Sequence, residues 1–281
     1  MALVAGSRAH AFDAYNNFGS GDTYDTTTGH RVDGGALAPF FPRISGCRFT
    51  ALAGGQLAVI RISLHRLMPD PPAVNLVDIR FQEADAAGNL GPVIASFTRA
   101  GLPAFGGNEA PETIFNSDPL VRLTAGRDYW IVVAPGDSTT QAAWNWNPLP
   151  QVADRFASSS NFGADYNYST QRVGAMRVEV ISDPGDFDVD GDVDGRDFLI
   201  WQRGFGIMSG ATIGDGDAND DDMVDDADYA IWAAAFGEPG PPALAVPESA
   251  TWEMLAVGSL AVALAIRTAP RRAANHHSER G

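Results

Sequence analysis

The chain has 281 residues, no lysine, 19 arginines and 35 acidic residues, leaving a net charge of −16 at pH 7. Residues 183–228 hold 15 aspartates against two arginines, so most of that charge is local. Carboxylates at this density repel phosphate backbones and anionic lipid surfaces, which excludes nucleic acid as a partner and makes divalent cations the natural counterions.

Taken from its start, the chain opens on residues 1–11, where Ala9-His10-Ala11 has the small-x-small form of a signal-peptide cleavage site. The segment reads either as the remnant of a signal peptide whose start lies upstream or as a short disordered start. Residues 12–182 then carry short alternating or apolar runs at 57–67, 77–83, 93–98, 113–116, 127–134, 142–146 and 175–181. Turn signals such as Asp85-Ala-Ala-Gly-Asn89 and Pro135-Gly-Asp137 separate them, and no long helical period intervenes. That spacing predicts an all-β sandwich, jelly-roll-like. Cys47, the single cysteine, has no disulfide partner and reads as a small buried residue.

Catalytic signals are sparse in this part. His30 and His65 are isolated, no Gly-x-Ser-x-Gly or His-Glu-x-x-His occurs, and Glu83, Glu109, Glu112 and Glu179 show no local pairing of acid and base. A non-catalytic protein is expected, with a glycoside-active enzyme as an alternative. Trp144 and Trp146 fall on one face of a strand, beside Asn145 and Asn147. They are therefore candidate glycan-binding residues as well as candidate core. Three further stretches, Asn17-Phe-Gly-Ser-Gly-Asp-Thr-Tyr24, Leu123-Thr-Ala-Gly-Arg-Asp-Tyr-Trp-Ile-Val-Val133 and Ala143-Trp-Asn-Trp-Asn147, resemble the choice-of-anchor modules. These are exported bacterial β-sandwiches found ahead of surface-anchoring tails.

Residues 183–237 contain an internal duplication at an offset of 31. Asp186-Phe-Asp-Val-Asp-Gly-Asp-Val-Asp-Gly-Arg-Asp197 overlays Asp217-Ala-Asn-Asp-Asp-Asp-Met-Val-Asp-Asp-Ala-Asp228, with side-chain oxygens shared at loop positions 1, 3, 5, 9 and 12. Calcium seeks 6–8 oxygens, and a 12-residue loop presents alternate residues to it, position 7 through a backbone carbonyl. Gly191 stands at the sharp turn of the first loop and Asp222 at that of the second, so strain is expected in the second. Val193 and Val224, at position 8, are placed to pair the two loops.

Each loop leads into a short glycine-terminated helix, Asp197 to Gly206 and Asp228 to Gly237, with little room for an entering helix before it. Phe198, Trp201 and Phe205 form one aromatic stripe and Tyr229, Trp232 and Phe236 its twin. The segment resembles a bacterial type I dockerin, which carries two calcium F-hand repeats. The resemblance implies that Asp186, Asp188, Asp190, Asp192, Asp194 and Asp197 hold one calcium ion, and that Asp217, Asn219, Asp221, Met223, Asp225 and Asp228 hold a second. It also implies a cohesin-like protein partner in a polysaccharide-related setting, docked near Gly195-Arg196 and Asp226-Ala227.

Residues 238–250 are a Pro-rich linker ending in Val246-Pro247-Glu248. Residues 251–272 hold an uncharged run from Met254 to Ile266 followed by Arg267, Arg271 and Arg272, and residues 273–281 form a polar tail. The order resembles the PEP-CTERM sorting signal, although Ser249 stands where proline is usual. The resemblance implies an exosortase-like processing enzyme and at least transient attachment to the membrane through this helix. Thirteen residues of helix span about 20 Å against a hydrocarbon core of about 30 Å, and the arginines after it favour retention on the cytoplasmic side. The expected architecture is an exported β-sandwich, a small α-helical calcium module and a C-terminal hydrophobic helix at the cell surface.

Overall fold

A computed structural model describes residues 10–36, 41–68, 75–118, 121–148 and 153–237. The sorting motif Val246, Pro247 and Glu248, the hydrophobic run and most of the N-terminal segment lie outside the described residues. Among those described, no helix is long and apolar enough to cross a membrane.

The described residues form fourteen strands: β1 (Ala11–Asn16), β2 (Gly29–Asp33), β3 (Ile44–Thr50), β4 (Gly55–Ile62), β5 (Leu64–Arg66), β6 (Val77–Ala84), β7 (Leu90–Arg99), β8 (Glu112–Phe115), β9 (Arg122–Leu123), β10 (Asp128–Pro135), β11 (Gln141–Asn145), β12 (Ala153–Ser159), β13 (Asn167–Arg172) and β14 (Met176–Ile181). A six-stranded sheet in the order β13-β12-β3-β10-β6-β7 faces a sheet in the order β1-β14-β4-β8, whose β4 also pairs with β9. A smaller sheet, β2-β11-β5, completes the set.

One core joins the two large sheets. Phe49, Phe81, Tyr129 and Ile131 from the first pack with Leu57, Ile60, Ile62, Val178 and Val180 from the second, all essentially without solvent contact. In β4 the inward residues change from odd (Leu57) to even (Ile60, Ile62), which a strict two-residue period forbids. The register slips between Glu179 and Val180 of the neighbouring strand, and this bulge resets the alternation. β10 is buried on both faces: Tyr129, Ile131 and Val133 face the core, and Trp130, Val132 and Ala134 join a second cluster on the opposite side. Burying both faces of this central strand explains its unbroken apolar run.

Six strands lack the alternation that would announce them. β13 (Asn-Tyr-Ser-Thr-Gln-Arg) is an exposed sheet edge, and β3 places Ser45, Gly46 and Cys47 in the interior, where small residues allow close approach. Cys47 is fully buried, and burial pushes its thiol up to about 12 while Gly174 N–H donates to its sulfur. The expected 57–67 strand is divided at Ser63, whose hydroxyl donates to Asn145 O.

After β14 come α1 (Gly195–Gly204), a 3₁₀ turn at Ile213–Asp215, and α2 (Asp226–Ala235). Gly206 and Gly237, at φ +95° and +79°, supply the left-handed residue that stops each helix. The two-helix segment is not a separate body. It belongs to the same compact unit as the sandwich.

Candidate metal centre

Each acidic loop is held by carboxylates that accept backbone amides, in a pattern that largely recurs 31 residues on. In the first, Asp186 Oδ1 accepts from Asp190 N–H and Oδ2 from Gly191 N–H, both at 3.1 Å. In the second, Asp217 accepts from Asp220, Asp221 and Asp222 N–H. The position-12 carboxylate closes each loop: Asp197 accepts from Phe187, Asp188 and Asp194 N–H, and Asp228 from Ala218, Asn219 and Asp225 N–H. Asp194 and Asp225 cap α1 and α2, and with Asp197 and Asp228 they complete a capping box on each helix.

Both loops take positive φ at positions 4 and 6: Val189 (+57°) and Gly191 (+107°), then Asp220 (+62°) and Asp222 (+67°). The first loop, with Gly191 at its turn, is expected to be the less strained, and the structure corrects this. A β-branched residue in the left-handed region is a genuine outlier, whereas aspartate tolerates it, so Val189 makes the first loop strained as well.

Of the twelve positions expected to ligate calcium, the structure gathers three carboxylates tightly. Oxygens of Asp186, Asp188 and Asp190 lie within 4.8 Å of one another. Two oxygens that share a calcium ion at 2.3–2.6 Å can be at most about 5 Å apart, so this trio fits one. Asp192, Asp194 and Asp197 stand outside the trio: Asp192 is exposed, Asp194 caps the helix and Asp197 holds backbone amides. Asn219 in the second loop donates to Asp221 through its amide at 3.1 Å, and Met223 N–H donates to Asp221 Oδ1 at 3.0 Å. Among the described residues no second carboxylate trio of that compactness occurs.

The electrostatics suit a cation. Burial, reinforced by the charge of Asp197, pushes Asp186 up to about 7. Desolvation and the charge of Asp190 push Asp188 up to about 6. Burial also raises Asp197 and Asp228. The shifts come first from burial of these carboxylates and then from the charges of their neighbours, and a divalent ion among them would offset both.

The two halves interlock. Trp201 Nε1 donates to Asp225 O at 2.9 Å, and Trp232 Nε1 donates to Asp194 O at 3.1 Å, so each helix hydrogen-bonds position 9 of the other loop. Trp201 lies 5.0 Å from Tyr229 and Phe198 5.1 Å from Trp232, centroid to centroid, and the paired aromatic stripes meet as their spacing predicts. Phe205 and Phe236 remain half exposed at the helix ends. The position-8 pairing expected between Val193 and Val224 does not form. Val224 instead exchanges backbone bonds with Gly206 and Ile207.

Nothing in the spacing of residues announced how the first loop meets the sandwich. Gly54 N–H donates to Val189 O at 2.8 Å, and Ala125 N–H donates to Asp190 O at 3.0 Å. Arg122 pairs with Asp183 just before the loop, and the Val189 side chain packs against the sandwich core. A Cβ on Gly54 would fall 2.2 Å from Asp190 O, and one on Gly191 2.7 Å from Leu123 O, so both glycines are required by backbone contact. A glycine following a turn is the one sequence signal that could have pointed here.

The Trp144/Trp146 platform is corrected. Trp144 is fully buried in the core, donates Nε1–H to Ala175 O at 3.0 Å, and fills the space over Gly174. Trp146 lies beyond the end of β11, half buried between His30 at 5.5 Å and the Arg172 guanidinium at 5.4 Å. The two indoles offer no shared exposed face. The isolated histidines are both buried: His65 Nε2 lies 3.0 Å from the Tyr24 hydroxyl, and His30 Nε2 donates to Arg172 O at 2.8 Å.

Compared with protein-family models and with curated proteins, the chain matches none.

Proposed function

We propose that this is an exported, cell-surface-directed, non-catalytic protein in which a dockerin-like module binds two calcium ions and docks to a cohesin-like partner, in a polysaccharide-related setting. The observation that carries the reading is the loop geometry repeated at an offset of 31: an acid at position 1 that accepts the turn amides, positive φ at positions 4 and 6, and an acid at position 12 that ties the loop to its helix. A disordered acidic linker has no reason to repeat all of these in register. One ion would be held by Asp186, Asp188, Asp190, Asp192, Asp194 and Asp197 and the other by Asp217, Asn219, Asp221, Met223 through its backbone carbonyl, Asp225 and Asp228, and each would compensate the charge of the carboxylates around it. Gly195-Arg196 and Asp226-Ala227 are exposed at the helix starts, which supports their use as a docking face. Export, exosortase-like processing and membrane attachment rest on the C-terminal sequence.

Calorimetry of the full chain with calcium tests the core of the reading, with two sites expected. Capture of partners from the native secretome, with and without chelator, tests the docking. Heat and circular dichroism signals indifferent to calcium would sink it. The glycoside-active alternative predicts sugar release abolished by one carboxylate substitution, and no release is expected.

A further inference from the structure

Phe156 and Ser158 on β12 point to the same face of the six-stranded sheet, because residues two apart share a face of a strand. Phe156 belongs to the core; one step further the face turns polar. Ser158 sits opposite Ser45 of β3 on one side and Asn167 of β13 on the other. Here the sheet is faced by β2, and between them lies a cleft of about 570 Å³. That is within the range of small-ligand sites, roughly 300–1,000 Å³. Its floor is the stacked pair His30 and Phe156, centroids 4.1 Å apart.

The cleft has three properties that do not follow from its being a gap. Among the described residues no Asp or Glu lines it. Its walls are hydroxyls, carboxamides and the two arginines Arg31 and Arg43. Arg31 is held by Asp33 at 2.9 Å, but the exposed Arg43 has no side-chain partner among the described residues, although its backbone is fixed by a two-way bond with Asp33. The hydroxyls of Ser158 and Ser160 and the amide of Asn167 likewise make no hydrogen bond to described residues. Unused donors and acceptors around the cleft match the alternating hydroxyls of a sugar, and a guanidinium with no side-chain partner among the described residues matches a carboxylate bidentately. His30 supplies no charge: burial holds it down to about 4, and its Nε2–H is already committed to Arg172 O.

We propose that the cleft between β2 and the β12–β13 edge binds uronate-bearing saccharides, with Arg43 taking the carboxylate and Ser158, Ser160 and Asn167 the ring hydroxyls. The site stands on the sandwich alone and does not depend on calcium binding by the acidic module.

The test is calorimetry of the full chain with trigalacturonate and, as the neutral probe, cellotriose, each in calcium and in chelator. Trigalacturonate should bind in both conditions, at least tenfold more tightly than cellotriose. Arg43→Gln should lose tenfold or more of that affinity while its melting temperature stays that of the parent, and Asn167→Leu should weaken both sugars. The proposal is overturned if trigalacturonate fails to bind or binds no better than cellotriose. It is overturned equally if Arg43→Gln binds normally, or if binding appears only with calcium, since the ion would then be bridging uronate to the acidic loops.

Discussion

The carbonyl of Val189, a residue at φ +57°, accepts the amide of Gly54 at 2.8 Å across the junction of acidic loop and sandwich. A β-branched residue keeps a left-handed conformation, at a cost on the order of 1–3 kcal/mol, only where its surroundings over-determine it. Here they do so through that bond, the neighbouring Ala125–Asp190 bond and the packing of the Val189 side chain on the core.

Gly54→Ala is therefore expected to destabilise the full chain by about 1–3 kcal/mol, because the new Cβ meets backbone atoms of Asp190 and Gly191 that cannot rotate away. Gly195→Ala, with open space around it, serves as the control and should change stability by less than about 1 kcal/mol. Urea unfolding of the two variants measures the difference.

Calcium should stabilise the sandwich as well as the helices, since loop and sandwich share backbone bonds. A ligand at 100 times its dissociation constant adds about 2.7 kcal/mol. Calorimetric scans should give one cooperative transition that moves up with calcium. A separate, calcium-blind sandwich transition would contradict the coupling.

Asp186→Ala should remove more calcium affinity from the full chain than Asp217→Ala. The first loop gathers the carboxylate trio and is held in shape by Gly54, Arg122 and Ala125, whereas the second has Asn219 in place of an acid. Titration calorimetry giving the opposite order would reject this.

Trp201→Phe and Trp232→Phe each leave the carbonyl at position 9 of the opposite loop without its indole donor. Each should cost about 1 kcal/mol, and the near-symmetry of the contacts predicts similar losses for both. Denaturant midpoints measured in calcium compare them.

His30 sets an acid limit on the sandwich. Its folded value, about 4, lies below the ordinary 6.5, so the unfolded chain binds the proton more readily. Its contribution is complete above about pH 6.5 and is lost as pH falls towards about 4, a difference on the order of 3 kcal/mol. His30→Phe should flatten that part of the stability profile, as followed by thermal unfolding at pH 7 and pH 4.5.

The acidic duplication was legible because its signal is local. The spacing of acids in a 12-residue loop, an aromatic stripe at i, i+3 and i+7, and a terminal glycine are properties of consecutive residues, and a second copy in register repeats the period. Strands with clear alternation, such as β6 and β14, were legible for the same reason, and so was the burial of Cys47. The tertiary structure alone decided which contacts span the sequence. It put Trp144 in the core by closing β11 against Gly174, converted β13 into an exposed edge with no apolar face, and opened a polar cleft where the inward face passes from Phe156 to Ser158. It also placed Val189 against Gly54, 135 positions apart in the chain. The physical reason is common to all four: burial and backbone strain depend on what lies across the gap, and a sequence pattern reports only which side of its own strand or helix a residue occupies.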